Sequence, residues 1–452
     1  MDIPEVHWAE TVGGENIAYQ CFGRGPVTLV FVNAWVNHLE ACWELGQSAA
    51  LLRQLAAFAQ VIFFDARGTG MSDRVAAVPN LEQRAEDILA VMRATGTEQA
   101  ALIGFLDGAA LAAFFAATQP DRTVALVFCG FPRSTWAPDF PWGVKKDEDD
   151  KINKRLYEIW GDERHVDEFT RLIYGDIPLP TDPEWARQHA RWARLAATPT
   201  SMMTFSRMWQ QSDVRDILPS IHVPTLVMAG TDDQDGIDVG RYVAERIPGA
   251  TLVLYPGNYA TPFIGDSKPL TEMVREFLGA PRPAPDLDRV LATVLFTDIV
   301  GSTKKAAELG DAPWGDLLGA HNDAVRREFE RFRGREVVTT GDGFLATFDG
   351  PARAVRCARA ICEAVRPLGL EVRAGCHTGE IELVGADVGG IAVHIGARVG
   401  ALAGPSEVLV SSTVKDLVAG SGLVFEDRGE HELKGVPDRW HIYAAHAPSA
   451  AS

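Results

Sequence analysis

Two aspartates stand where carboxylates can do chemistry. Asp298 closes the apolar run Leu295-Phe296-Thr297-Asp298-Ile299-Val300-Gly301-Ser302-Thr303, and Asp342 follows 44 residues later in the turn Thr340-Gly341-Asp342-Gly343-Phe344. Acidic side chains at the ends of adjacent strands make a hard-oxygen site suited to Mg²⁺ or Mn²⁺ held together with substrate phosphates. Gly301, Ser302 and Thr303 open the next helix, where backbone N–H groups can meet a phosphate. A strand-end aspartate taken alone is more often a turn or cap residue, so the weight rests on the pair.

The elements around the pair suggest how it is positioned. A strand over Val290 to Phe296, a helix around Trp314 to Arg333, two short strands flanking Gly341-Asp342-Gly343, a helix near Ala352 to Arg366 and further strands follow one another. That order predicts an α+β domain with a βαββαβ, ferredoxin-like core. Earlier in the chain, the β-rich runs Val27 to Val32, Val61 to Phe64, Ala100 to Ile103, Val124 to Phe128 and Thr225 to Met228 alternate with helix-length stretches. This predicts a mostly parallel sheet with helices on both faces. Trp-rich helical sequence from about 134 to 212 reads as an inserted cap. The Pro-rich stretch 279–287, GAPRPAPDL, cannot sustain apolar periodicity and is taken as the linker between a domain over 1–278 and one over 288–446, with 447–452 a short tail.

Composition narrows the classes of function. At 452 residues with 46% hydrophobic and 23% charged residues, the chain is globular, not disordered or collagen-like. A net charge of −18, shared by both halves (18 Lys/Arg against 23 Asp/Glu from Asp288 onward), opposes nonspecific nucleic-acid binding. The longest apolar run, Ala109 to Ala117, is under half of the ~20 residues a membrane helix needs. The amino terminus MDIPEVHWAE lacks a signal-peptide pattern, so a cytoplasmic protein is expected. Six scattered cysteines without a Cys-x-x-Cys pair read as reduced core residues.

The stretch Phe64-Asp65-Ala66-Arg67-Gly68-Thr69-Gly70-Met71-Ser72-Asp73, with the strand and helix order around it, resembles the α/β-hydrolases over about residues 15 to 278. In that fold a G-x-S-x-G elbow exposes a serine nucleophile. Here the elbow reads Gly104-Phe105-Leu106-Asp107-Gly108, and the saturated Leu106 cannot attack a carbonyl. The resemblance places the family's acid at Asp233, which is retained, and its histidine at Ala260, so the base is missing too. A catalytically degenerate domain is implied; a competing reading makes Asp107 a carboxylate nucleophile. The cap pocket would bind a small apolar ligand or the domain would serve as a dimerising scaffold, and the residues leave both open.

The Phe-Thr-Asp-Ile-Val-Gly-Ser-Thr string, the Thr-Gly-Asp-Gly turn, the run Asp387 to Arg398 and the closing Glu432-Leu433-Lys434-Gly435 resemble class III nucleotidyl cyclases over about Arg289 to Ala445. The whole chain resembles the mycobacterial arrangement of a hydrolase-like domain before a cyclase. The resemblance implies that Asp298, Asp342 and the Ile299 carbonyl hold two metal ions, and that Gly301, Ser302 and Thr303 lie at the phosphates. It also implies that Arg398 stabilises the transferring phosphate and that Lys434 binds the terminal ones. Two positions depart from the family pattern. Val338 replaces the purine-reading lysine, and His394 replaces the asparagine that steadies the transition state, although imidazole can still donate. Asp387, the other purine reader, accepts from adenine's amino group and repels guanine's oxygen, so ATP is expected over GTP. Losing the lysine forfeits ~1–3 kcal/mol of that selectivity. Because the family takes metal aspartates from one subunit and the arginine, lysine and purine readers from the other, a homodimer is implied.

The expectation is an adenylyl cyclase making 3′,5′-cyclic AMP and pyrophosphate with Mg²⁺ or Mn²⁺. The alternatives are a nucleotide-binding sensor without turnover, a guanylyl cyclase and, least favoured, an esterase.

Overall fold

The computed structural model describes residues 3–33, 36–75, 79–175, 179–180, 182–258, 261–280, 289–339, 341–384 and 387–446. The chain forms two compact units, Met1–Asp286 and Leu287–Ser452. Apart from Gly279 and Ala280, the expected linker lies outside the described residues, and so does the tail 447–452.

The first unit is built on eight strands: β1 (His7–Glu10), β2 (Asn16–Phe22), β3 (Val27–Val32), β4 (Ala59–Phe64), β5 (Ala100–Leu106), β6 (Thr123–Gly130), β7 (Thr225–Gly230) and β8 (Thr251–Tyr255). Their order is β1-β2-β4-β3-β5-β6-β7-β8, parallel from β4 to β8 and antiparallel where β2 meets β1 and β4. Every residue of β5 is buried, as a strand covered on both faces requires. The helix after it, Asp107–Thr118, is buried from Asp107 to Ala117, so it is a core helix and shows no polar face. Between β6 and β7 run the helices Lys146–Ile159, Val166–Tyr174, Pro183–Ala196 and Pro199–Gln211. They pack on a small core of their own that includes Leu156, Trp160, Phe169 and Phe205.

The second unit has β9 (Arg289–Ile299), β10 (Arg335–Thr339), β11 (Gly343–Phe348), β12 (Val372–Val384), β13 (Asp387–Gly389), β14 (Val408–Ser411), β15 (Val424–Glu432) and β16 (Arg439–His446). The order is β10-β11-β9-β12-β14-β16-β15, with β13 paired to β12. The expected βαββαβ core is present, and β14, β16 and β15 extend its sheet. Side chains of β9 alternate between two cores. Leu295 and Ile299 join Val325 and Val355 under the helices Asp311–Phe332 and Pro351–Ala364, while Val294 and Phe296 face Ala392 of the helix Ile391–Leu402.

All six cysteines are unpaired and five are buried, as expected of core thiols. Among the described residues no helix is long and apolar enough to cross a membrane.

Candidate functional site

Strand register brings the backbones of the two aspartates next to each other. In the antiparallel pair of β9 and β11, Asp298 lies opposite Gly343, and the Ile299 N–H donates to the Asp342 carbonyl at 3.2 Å. The strand end of β9 and the turn before β11 are therefore hydrogen-bonded neighbours. Asp298 continues the Val294–Phe296 series, which puts it on the sheet face covered by Ile391–Leu402. Both aspartates are partly exposed, so their carboxylates remain within reach of solvent and ligand. Gly301, at φ 68°, turns the chain into the helix Ser302–Leu309, and no side chain caps that helix's first turn. Its leading N–H groups, with Ser302 and Thr303 beside them, are open to an anion.

A second cluster joins the basic residues. Arg398 Nε donates to the Lys434 backbone carbonyl at 3.1 Å, so the two residues implied for the phosphates lie side by side in the chain's fold. His394 and Arg398, one helical turn apart, share an exposed stripe of Ile391–Leu402 that also carries Ile391 (52% exposed) and Leu402 (42%). The third cluster is the pair of purine positions. Val338 on β10 is exposed, β10 packs beside β13, and Asp387 opens β13 with its Oδ1 accepting from the Val388 N–H at 2.8 Å.

One residue of the site was not anticipated. Arg373, the second residue of β12, lies opposite Asp298 in the β9–β12 register, and its Nη2 and Nε reach Asp298 Oδ2 at 2.5 and 2.9 Å. Only the pairing of strands far apart in sequence reveals this contact. The donor set fits a divalent cation: two carboxylates of neighbouring strands carry hard oxygens, and one of them already takes a cationic partner. Among the described residues, no group of three or more His, Cys, Asp or Glu side chains gathers there.

The elbow of the first unit keeps its geometry without its nucleophile. Leu106 sits at φ 51°, ψ −120°, between β5 and Asp107–Thr118. A side chain on Gly104 would run into the Gly108 carbonyl and Ala109, and one on Gly108 into the Val32 carbonyl. These close approaches hold a non-glycine residue in a conformation that costs ~1–3 kcal/mol. Asp107 is 2% exposed and pairs with the equally buried Arg84 at 3.0 Å, so its carboxylate is engaged inside the core. That position does not suit the competing reading of Asp107 as a nucleophile.

Residues 27–266 match the family model of the alpha/beta hydrolase fold. The chain belongs to that family. Residues 287–447 match the model described as adenylate and guanylate cyclase catalytic domain, so this alpha/beta hydrolase protein carries a class III cyclase domain. The "Putative adenylate cyclase 3" of Rhizobium meliloti strain 1021 is 29% identical over 164 residues, which cover 34% of this chain. This chain spans only 28% of that relative's length. The bifunctional esterase/perhydrolase DCH of Acinetobacter calcoaceticus is 26% identical over 262 residues, covering 55% of this chain and 91% of that protein. An esterase from Exiguobacterium antarcticum shares the fold, with a TM-score of 0.52 and 21% identity over 61% of this chain and 100% of its own.

The aspartate expected at the hydrolase acid position stands at the start of a helix. Asp233 caps the helix Gln234–Arg246, its Oδ1 accepting from the Gly236 N–H at 2.9 Å. Ala260 lies outside the described residues. Two cavities touch Leu106. One of about 50 Å³ is lined by Phe31, Cys42, Trp192 and Phe263. The other, about 210 Å³, is lined by Phe131, Trp142, Leu156, Trp209, Asp149 and Asn153. Trp209 Nε1 is buried without a hydrogen-bond partner among the described residues, and burial raises the Asp149 carboxyl above its ordinary range. The cavity is thus apolar with a few polar groups at its wall, the usual make-up of a small-molecule site.

Proposed function

We propose that the cyclase domain is an adenylyl cyclase that converts ATP to 3′,5′-cyclic AMP and pyrophosphate as a homodimer, and that the hydrolase-like unit is a regulatory module without ester chemistry. The observation that carries this reading is the β9–β11 register, with Asp298 opposite Gly343 and Ile299 bonded to Asp342. Asp298, Asp342 and the Ile299 carbonyl would hold Mg²⁺ or Mn²⁺, two ions per site, whose chemistry when bound is to acidify the ribose 3′-hydroxyl and neutralise the triphosphate.

The chain's own groups supply the rest. Arg398 balances the charge that grows on the α-phosphate, His394 donates to a phosphate or ribose oxygen, and Lys434, held beside Arg398, binds the terminal phosphates. The N–H groups opening Ser302–Leu309 add donors for the triphosphate. In the reaction the O3′–Pα bond forms as the bond from Pα to the β-phosphate oxygen breaks; O3′ loses its proton and pyrophosphate leaves. Asp387 accepts from adenine's 6-amino group, which favours ATP over GTP, while Val338 offers no donor to the purine. The stripe of Ile391, His394, Arg398 and Leu402 supports the dimer: it joins exposed apolar surface to residues that must meet substrate. In the regulatory unit, Leu106 at the nucleophile position and the Arg84-bound Asp107 support the loss of hydrolysis. The cavity of about 210 Å³ suits a small apolar ligand that offers an acceptor to Trp209 Nε1.

The test is to incubate the purified protein with ATP or GTP and Mn²⁺ and to measure both cyclic nucleotides. Cyclic AMP made by the wild type and lost in Asp342→Ala is the expected result. No product from either nucleotide would leave a nucleotide-binding sensor, and equal turnover in Asp342→Ala would discard the metal assignment.

A further inference from the structure

Asp298 has unequal cross-strand neighbours. On one side stands Gly343, which has no side chain, and on the other Arg373, directly opposite. The guanidinium places two nitrogens on a single oxygen, Oδ2, of the carboxylate near the end of β9. Both side chains are more than a third exposed, so the pair can open at little cost.

Arg373 also has a second anchor. Its Nη1 reaches the Ala401 carbonyl at 3.5 Å, in the last turn of Ile391–Leu402. That helix has no basic residue of its own in its last turn, although a cation there is favoured by the helix dipole. The guanidinium therefore lies between an aspartate and a helix carboxy terminus, each of which attracts it. The same helix carries His394 and Arg398.

We infer that Arg373 is a resident cation on Asp298, a positioning residue that holds the carboxylate in the metal-free chain, competes with the divalent ion for Oδ2, and shifts toward the carboxy-terminal end of Ile391–Leu402 when the ion binds. This rests on the metal assignment made above. The site then carries a cation in either state, so Asp298 is never left as an unbalanced charge beside Asp342. The cost is weaker metal affinity, because binding must first break an ion pair.

The experiment is a titration of the full-length protein with MnCl₂ in the absence of nucleotide, following free Mn²⁺ by electron paramagnetic resonance. Wild type is compared with Arg373→Gln, Arg373→Lys and Asp298→Asn, each first shown by its melting curve to be folded. Arg373→Gln should bind Mn²⁺ about 1.4- to fivefold more tightly, the range that ~0.2–1 kcal/mol of exposed ion-pair energy converts to. Arg373→Lys, which keeps the charge, should stay close to wild type. An Arg373→Gln affinity equal to or weaker than wild type, or an Arg373→Lys affinity raised as far as that of Arg373→Gln, overturns the inference. Mn²⁺ bound equally well by wild type and Asp298→Asn overturns the metal assignment itself, which separates the two failures.

Discussion

Replacing Arg84 by alanine removes the guanidinium that faces Asp107 in the core of the hydrolase-like unit. Both residues are 2% exposed and 3.0 Å apart, so the carboxylate would lose its ionic partner with almost no water to replace it. Breaking a buried pair from one side costs ~3–5 kcal/mol, a large part of the ~5–15 kcal/mol that stabilises a typical domain. For a unit of this size ~1 kcal/mol moves the midpoint by roughly 2–4 °C, so its transition should fall by about 6–20 °C in scanning calorimetry of the full chain. Arg84→Met with Asp107→Leu removes both charges and should recover most of the loss, since apolar replacement of a buried pair is often neutral or stabilising. A shift below ~2 °C in Arg84→Ala, or a double variant no more stable than the single one, would refute the reasoning. Chromogenic esters supply a second readout. Hydrolysis that disappears in Asp107→Asn while the melting curve stays unchanged would make Asp107 a nucleophile after all.

Val338→Lys restores a donor at the purine position and should sharpen the preference for ATP over GTP by about 5- to 150-fold, the equivalent of ~1–3 kcal/mol, read as the ratio of kcat/KM values; an unchanged ratio would remove Val338 from the purine site. Asp65 gives a pH prediction. Burial pushes its carboxyl up to about 6 against hydrogen bonds from the Met71 and Leu39 N–H groups and the Asn37 amide. With the folded pKa above the unfolded one, the contribution is fully present below pH ~4 and is lost as pH rises through ~6, by about 3 kcal/mol at most. The stability gap between wild type and Asp65→Asn should therefore narrow between pH 4 and 6 in denaturant titrations, and a gap independent of pH would show that Asp65 does not titrate there.

Much of the fold was legible because its signals are local. The runs Val27 to Val32 and Ala100 to Ile103 announce themselves by continuous β-branched and apolar residues; the first strand has those same bounds, and the second runs on to Leu106. β1, β2 and β8 were not anticipated. β2 is interrupted by polar Gln20, while β1 and β8 lie at the sheet edges with largely exposed patterns, so neither the buried run nor a clean alternation marks them. At the elbow, the spacing of Gly104 and Gly108 was visible, but not that Leu106 is still held at φ 51°.

The sequence by itself determined which chemical groups the chain owns: carboxylates at Asp298 and Asp342, cations at Arg398 and Lys434, and no hydroxyl or thiol at position 106. Side-chain identity is enough for that, since leucine has no lone pair to give and aspartate has oxygens to offer. Tertiary structure alone decided which groups meet. Strand register set Gly343 and Arg373 on either side of Asp298 from 45 and 75 residues away, the loop between β15 and β16 brought Lys434 to Arg398, and helix packing buried Arg84 against Asp107. Register depends on how whole strands bury their faces, and a slip of one residue in β9 would turn Asp298 to the other side of the sheet, away from Arg373.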